Sequence, residues 1–313
     1  MVKDFYTMKA DEPVEGTFAV SNVFLRTFSG SSTFLALNLQ DKTGIIPAVL
    51  WEGAEKVSKV IKDGYIVFIK GKISFYHQKN QVNIEKIRIA EDYIIDDLVP
   101  SSQFDPNDMW AEFCGIMDEM VDEDLKAIWM SYKNDDEFVS GFIIAPGGKG
   151  THHTYRAGLL EHTLSVLKIV KAYKQIYPVV MKWDMAYMGA FVHDIGKLRA
   201  YHQNQITISK TNNGRLHEHS ALGYHMFLSR LADVVESIDI EKMKMIIEDI
   251  GHIILSHHGK FAPVKPMTAE ARLIAELDLI DADLNYFYKF EDKVDDDGWY
   301  FDHLNDQFFL IRK

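Results

Sequence analysis

The pattern of apolar and polar positions changes character near residue 95. Before it, short runs rich in β-branched and aromatic residues alternate with turn signals. The run VEGTFAVSNVFLRTF (14–28) predicts one strand, and Phe34–Leu39 alternates partly, as a half-buried strand does. Asp41-Lys-Thr-Gly44 reads as a turn, and Ile45–Trp51 is strand-like again. Tyr65–Tyr76 is a long strand with Gly71 inside it, His77–Asn80 is a polar turn, and Gln81–Ile89 alternates well. Between the third and fourth runs, WEGAEKVSKVIKDG (51–64) fits one short helix. Strands, a helix and a closing hairpin in this order predict a small five-stranded barrel.

Residues 91–108 (EDYIIDDLVPSSQFDPND) bring acids, serines and two prolines. The expected division is a first domain over 1–95, a linker over 96–108 and a second domain over 109–313. In the second, apolar residues recur at helical spacing in Phe113–Met117, Leu159–Tyr173, Met185–Val192, Ala221–Leu231 and Met243–Leu255. That pattern predicts a mostly α domain. Asp295-Asp-Asp-Gly298 reads as a solvated acidic loop, because it lacks the full spacing of a calcium loop.

Composition narrows the class. The chain has 313 residues, 47% of them hydrophobic, enough for two cores. The single cysteine, Cys114, excludes an internal disulfide framework and fits a reducing cytoplasm. The first residues, MVKDFYTMKADEP, contain no apolar signal segment, and no apolar run approaches the ~20 residues that span a bilayer. A cytoplasmic protein without membrane partners is therefore expected. The net charge of -12 argues at first against nucleic acid. It is unevenly distributed, however. Residues 1–95 carry 12 Lys and Arg against 11 Asp and Glu, whereas residues 96–313 carry 22 against 35. A local basic groove matters more for binding than the global sum.

The histidines carry the chemistry. Of 13, 11 lie between His152 and His258. His162 falls early in an apolar helix, His193-Asp194 follows Ala190-Phe-Val and precedes Ile-Gly-Lys197, His225 lies in Ala221-Leu-Gly-Tyr-His, and His257-His258-Gly259 ends a helix. Asp278 and Asp281 are three apart and share a helix face. Imidazole and carboxylate together suit divalent first-row metals, and a mixed set suits two adjacent ions that activate water and clamp a phosphate. Gly196 would permit a sharp turn behind the His-Asp pair. Taken singly, a His on an apolar helix is more often a hydrogen-bonded core or surface residue, and Asp278 alone would fit a surface carboxylate or a salt-bridge partner.

Leu159-Leu-Glu-His-Thr163, Val192-His-Asp-Ile-Gly-Lys197, Ser256-His-His-Gly259 and the late Asp resemble the HD-domain superfamily of metal-dependent phosphohydrolases. The resemblance implies an all-α domain holding one or two divalent ions. Its implied ligands are His162, His193, Asp194 and Asp278, joined in the two-metal branch by His225 and His257. Asp278 matches the superfamily's last Asp better than Asp281. Lys197 would add a positive contact to the phosphate. His152, His153 and His258 would touch substrate or orient ligands.

The first domain resembles an OB-fold, on the stretch Phe34–Trp51 together with Val67–Lys72 and Tyr76–Gln81. OB-folds stack bases on aromatics beside a basic groove. The candidates for stacking are Phe24, Phe34, Trp51, Phe75 and Tyr76. Those for phosphate contacts are Arg26, Lys70, Lys72, Lys79 and Lys86. An OB domain followed by an HD domain is similar to the YhaM family of bacterial 3′→5′ exoribonucleases, over nearly the whole chain. The stretch His152-His-Thr-Tyr-Arg-Ala-Gly-Leu-Leu-Glu-His-Thr163 is close to the family's pattern. Ala157, where Gly is frequent, and Lys260–Lys265, where an acidic stretch is common, depart from it. The resemblance implies metal-dependent hydrolysis of single-stranded RNA, or also DNA, to nucleoside 5′-monophosphates. Manganese is the first candidate ion, with Fe, Co, Ni or Zn as alternatives. An HD enzyme acting on a small nucleotide and a non-catalytic single-strand-binding protein are the competing readings. Oligomeric state is open.

Overall fold

The computed structural model describes residues 8–28, 32–76, 79–148, 152–202, 208–234, 238–288, 294, 297–302 and 307–312. The side chains of Tyr76 and Lys79, both expected at the nucleic-acid interface, lie outside the described residues, as do Asp295 and Asp296 of the acidic loop. Contacts divide the chain into two compact units, with the change between Ser101 and Ser102.

The first unit holds β1 (Pro13–Phe28), β2 (Ser32–Asp41), β3 (Gly44–Leu50), α1 (Ala54–Val60), β4 (Ile66–Tyr76) and β5 (Lys79–Ile89). The strands close into a barrel in the order β1-β2-β3-β5-β4. All pairs are antiparallel except β3 with β5. The pleat explains the pattern along β2: Leu35, Leu37 and Leu39 point inward and are buried, while Phe34, Ala36 and Asn38 point outward. They meet Val20, Ile46, Val67, Ile69, Ile73 and Val82 in one core. Gly71 is required by a close approach. A β-carbon there would lie 2.4 Å from the Asn83 carbonyl oxygen, at the bulge where β4 changes register on β5. Part of the stretch expected as linker belongs to this unit. Leu98 is buried with Ile66 and Ala90, and the Gln40 side chain donates to its carbonyl at 3.1 Å.

The second unit is helical: α2 (Pro106–Met117), α3 (Glu123–Lys133), α4 (Asp136–Ile144), α5 (Gly158–Ile176), α6 (Trp183–Val192), α7 (Lys197–Ala200), α8 (Asn212–Leu216), α9 (Glu218–Ala232), α10 (Ile240–Ser256) and α11 (Ala269–Tyr288). Aspartates start several of them. Asp105, Asp122, Asp135 and Asp239 accept from the first backbone N–H groups of α2, α3, α4 and α10, and Pro106 sits at the first position of α2. The sequence WDMAYMGAFV of α6 is apolar on nearly every face, and nine of its ten residues are buried. It is therefore the central helix. Phe191 near its end packs edge-on against Phe113, Trp129, Tyr132 and Phe142.

The expectation of a wholly helical second domain needs one correction. The chain ends in a hairpin of β6 (Trp299–Asp302) and β7 (Gln307–Leu310). Its strands are rich in aromatics, which favour a pleated surface, and Phe301 and Phe308 face each other with ring centroids 4.8 Å apart. Phe309 packs on Phe287 of α11, and the Tyr286 hydroxyl donates to Asp302.

Two capping aspartates also tie helices together. Asp135 pairs with Arg230 of α9, and Asp122 with Lys242 of α10 at 3.0 Å. The Arg230 guanidinium and the Phe138 N–H hold the Asp135 carboxyl below its ordinary 3.8. At Asp122 partial burial opposes the charge, but the Leu125 N–H and the Lys242 ammonium outweigh it and lower the pKa. A carboxyl depressed in the folded state stabilises above its unfolded pKa, and that stability is lost as pH falls through the lower folded value. The urea midpoint should therefore drop as pH is lowered from 5 to 3. Asp135→Asn should lower the midpoint at pH 6 and flatten this dependence. An unchanged slope would show that the pair contributes nothing.

Candidate metal centre and nucleic-acid interface

Three helices bring the first candidate ligands together. His162 lies in the second turn of α5, His193 closes α6 with Asp194 next to it, and Asp278 projects from α11. One ligand atom from each of His162, His193, Asp194 and Asp278 lies within 4.8 Å of the others, and all four residues are buried. His162 Nε2 is 3.2 Å from Asp278 Oδ1, 3.4 Å from Asp194 Oδ2 and 3.1 Å from His193 Nε2.

A second group adjoins the first. His219, His257 and His258 also present ligand atoms within 4.8 Å of one another. His257 closes α10 as His193 closes α6. Asp194 faces both groups. Its Oδ2 is turned to His162 and His193, and its Oδ1 lies 3.4 Å from His219 Nε2 and 3.6 Å from His257 Nε2.

Hydrogen bonds fix the rings for ligation. His193 Nδ1 meets the Ala190 carbonyl at 2.8 Å, and His257 Nδ1 meets that of Ile254 at 2.7 Å. A carbonyl only accepts, so each ring donates from Nδ1 and turns an Nε2 lone pair into the site. Asp194 Oδ1 is buried and accepts no hydrogen bond. Converging lone pairs and an orphaned carboxylate oxygen are costly in a protein interior unless a cation lies between them. The donor set thus fits divalent ions, and the carbonyl ends of α6 and α10 add favourable dipoles.

The electrostatics agree. Burial opposes an imidazolium at His162, but Asp194, Asp278 and Asp281 outweigh it and raise its pKa well above the ordinary value. The field here favours positive charge. Burial, reinforced by His258, pushes His257 well below its ordinary value, and burial takes His219 down to about 3, so both stay neutral and able to ligate. At Asp194 burial opposes the charge, but the Lys197 ammonium outweighs it and holds the carboxyl well below its usual range.

Several expected residues stand elsewhere. His225 is exposed and its Nδ1 lies 3.2 Å from Arg199, so it joins neither group. His219 occupies the expected place instead. The two are six residues apart on α9, which puts them on different faces. Sequence spacing offered no ground for preferring His219, whose direction depends on Glu218 in the left-handed region at φ 59°. Asp281 is not in the first group. Its Oδ2 holds His162 Nδ1 at 2.7 Å, on the far side of the ring. His153, expected as a possible substrate contact, is buried behind His162, where its φ of 45° directs it. Lys197 is buried with its ammonium 2.5 Å from Asp194 Oδ2, so it contacts that ligand. His152 is half-buried beside His162, with ring centroids 5.9 Å apart, and burial lowers its pKa to about 3. His258 is 41% exposed at the side chain and marks the open side.

On the barrel, three of the aromatic candidates stand on neighbouring parts of the chain: Phe24 on β1, Phe34 on β2 and Trp51 just after β3. Arg26 is paired with Phe34, whose ring centroid lies 4.8 Å from that of Trp51. Phe24 pairs with Ala36 one row along. Phe24 is 56% and Trp51 44% exposed, so these rings are not core. Phe75 is exposed on β4. Lys72 is paired with Glu85 at 3.5 Å and Lys70 with Glu15 at 2.6 Å, which offsets part of their charge. Among the described residues, no helix is long and apolar enough to cross a membrane.

The comparisons agree with this architecture. The HD domain family matches residues 159–283, and the OB-fold nucleic acid binding domain family matches residues 20–90. A 3′-5′ exoribonuclease YhaM of Shouchella clausii is 30% identical over 292 residues, covering 91% of this chain and 88% of the relative. The chain belongs to the YhaM family. Proteins of the same name from Bacillus subtilis and Bacillus velezensis are each 27% identical, over 91% and 90% of this chain and 90% and 88% of their own. The family resemblance and the barrel-plus-HD architecture expected from the sequence both stand.

The pattern His-Asp-Ile-Gly has a physical reason in this YhaM-family chain that differs from the expected one. Gly196 has an ordinary helical backbone, with φ -63°. A β-carbon there would lie 1.9 Å from the His219 carbonyl oxygen and 2.4 Å from the Gly223 nitrogen. Gly196 lets α9 approach closely enough to deliver His219. Gly196→Ala must therefore displace α9. It should destabilise the protein by about 3 kcal/mol, the upper end of ordinary overpacking costs. It should also remove most of any rise in unfolding temperature that an added divalent ion such as Mn²⁺ produces. Thermal unfolding with and without Mn²⁺ checks this, and an unaltered unfolding curve would refute it.

Proposed function

We propose that this chain hydrolyses single-stranded RNA from its 3′ end, releasing nucleoside 5′-monophosphates at a centre of two divalent ions. The observation that carries the reading is Asp194, which turns one carboxylate oxygen to each of two histidine-containing groups. That is the ligand arrangement a phosphodiester-cleaving pair of ions needs. His162, His193, Asp194 and Asp278 would hold one ion. His219, His257, His258 and the other oxygen of Asp194 would hold the second. The ions supply, when bound, an activated water and compensation for charge on the scissile phosphate.

The chain's own groups do the rest. Lys197 keeps Asp194 ionised and in place. His152, neutral beside His162, offers a hydrogen bond to the terminal nucleotide. Phe34 and Trp51 stack bases, with Arg26 beside them for a phosphate. Manganese is the ion we propose, since an imidazole–carboxylate set accepts it, as it does Fe, Co, Ni and Zn. The names of the relatives favour RNA over DNA. One cysteine fits residence in the cytoplasm.

The test is direct. Purified protein with Mn²⁺ and 5′-labelled single-stranded RNA should give a ladder that shortens from the 3′ end. Chelation should stop it, and His193→Ala with Asp194→Ala should abolish it. Turnover of free nucleotides alone would overturn the reading in favour of a small-molecule phosphohydrolase. Binding without turnover would leave a non-catalytic RNA-binding protein.

Division of labour between the units gives a second expectation. Phe34→Ala and Trp51→Ala should each raise KM for the RNA about tenfold, at ~1–3 kcal/mol per stacked base. Hydrolysis of bis(p-nitrophenyl) phosphate should stay within about twofold of the unaltered protein, since only strand binding is lost. Equal losses on both substrates would count against the barrel as the strand-binding unit.

A further inference from the structure

Behind His162, away from the converging ligands, lies a set of buried polar side chains that the reaction outlined above leaves unused. Asp281 Oδ2 lies 2.7 Å from His162 Nδ1 and 2.8 Å from His153 Nε2. His153 Nδ1 is 2.8 Å from the Tyr155 hydroxyl, which donates to Glu161 Oε1 at 2.9 Å. Asn285 closes the set at two points. Its Nδ2 donates to the Tyr155 oxygen at 3.0 Å, and its Oδ1 accepts from the His153 backbone N–H at 2.7 Å.

These residues come from three places in the chain: the loop of His153 and Tyr155, the start of α5 and one face of α11. Asp278, Asp281 and Asn285 are spaced i, i+3 and i+7, so they form one stripe along α11. The first faces the ligand group, the second grips the back of His162, and the third grips the loop. The loop is held in a conformation side chains rarely adopt, with His153 at φ 45° and Ala157 at φ 64°. Gly147 packs against the turn, and its N–H donates to the His153 carbonyl at 2.9 Å. A strained loop fastened by this many bonds is maintained by its surroundings and points to a function.

We propose that Asp281, His153, Tyr155 and Asn285 act together as positioning residues that hold His162 in the orientation and tautomer a metal ion requires. The inference rests on reading His162 as a metal ligand. An imidazole that donates Nδ1–H to a carboxylate presents Nε2 as a lone pair, cannot swing out of the site, and is a stronger base toward the metal. Asp281 supplies that carboxylate. His153, Tyr155 and Asn285 keep Asp281 from rotating and hold the loop over it. None of the four touches substrate in this scheme.

Isothermal titration of Mn²⁺ into the metal-free, full-length protein tests it. Asp281→Asn should weaken Mn²⁺ binding about 10–100-fold, and Tyr155→Phe should weaken it by a smaller factor. At saturating Mn²⁺ both variants should show an unchanged KM for RNA and recover most of their activity. A substrate-binding role would not produce that result. Unfolding midpoints measured in EDTA identify a variant that simply fails to fold. Tyr155→Phe, which loses one oxygen, carries the test if Asp281→Asn does. Asp194→Ala is the reference. If Asp194→Ala abolishes Mn²⁺ binding while both folded variants bind like the unaltered protein, the positioning role is overturned and the metal centre stands. A raised KM with unchanged Mn²⁺ affinity also overturns it. If the unaltered protein binds no Mn²⁺, the metal reading fails, and this inference with it.

Discussion

One buried carboxylate organises the second unit. Asp194 is shared between two sets of imidazoles that converge with their lone pairs forward, and one of its oxygens accepts no hydrogen bond. Such an arrangement is unfavourable on its own terms. Like ends of dipoles face one another in a region from which water is excluded. Its persistence requires ligands that cannot turn away. The surrounding helices supply that rigidity: backbone carbonyls lock His193 and His257, Lys197 locks Asp194, and Asp281 locks His162.

The fold makes these locks inexpensive. Two helices end at the site, and in each the terminal histidine folds back on the carbonyl three residues before it. A local hydrogen bond thus does what would otherwise need a partner from another element. The exception is His162, inside a helix near its start, where the intrahelical carbonyls are already used. It is the ligand that depends on partners far away in sequence, 119 residues away for Asp281.

Much of this was legible in the sequence, for identifiable reasons. The barrel's strands announced themselves because one face of each is buried and the other is not, which leaves period-two alternation in residues such as Leu35, Leu37 and Leu39. His162, His193, Asp194 and Asp278 could be named together through the motifs that resemble the HD superfamily, and the structure brings their ligand atoms within 4.8 Å of one another. His219 could not. Its direction depends on a left-handed residue just before it and on the contact between Gly196 and α9, and neither leaves a periodic trace. The resemblance pointed to His225, yet helix α9 turns it to solvent. The terminal hairpin was missed because its strands are four residues long, too short for alternation to register. The linker's first residues looked solvated from composition, although Leu98 is buried against Ile66 and Ala90.

The central helix α6 has a consequence of its own. It is the most deeply packed helix of its unit, and its last turn leads straight into His193 and Asp194. Ligand geometry and core integrity are therefore one property. No hinge or exposed loop separates them, so His193 and Asp194 cannot move unless the aromatic cluster around Phe191 is disturbed with them. A protein built this way keeps its chemistry permanently assembled. Control over turnover would have to act on which strand end arrives at the site and how long it stays.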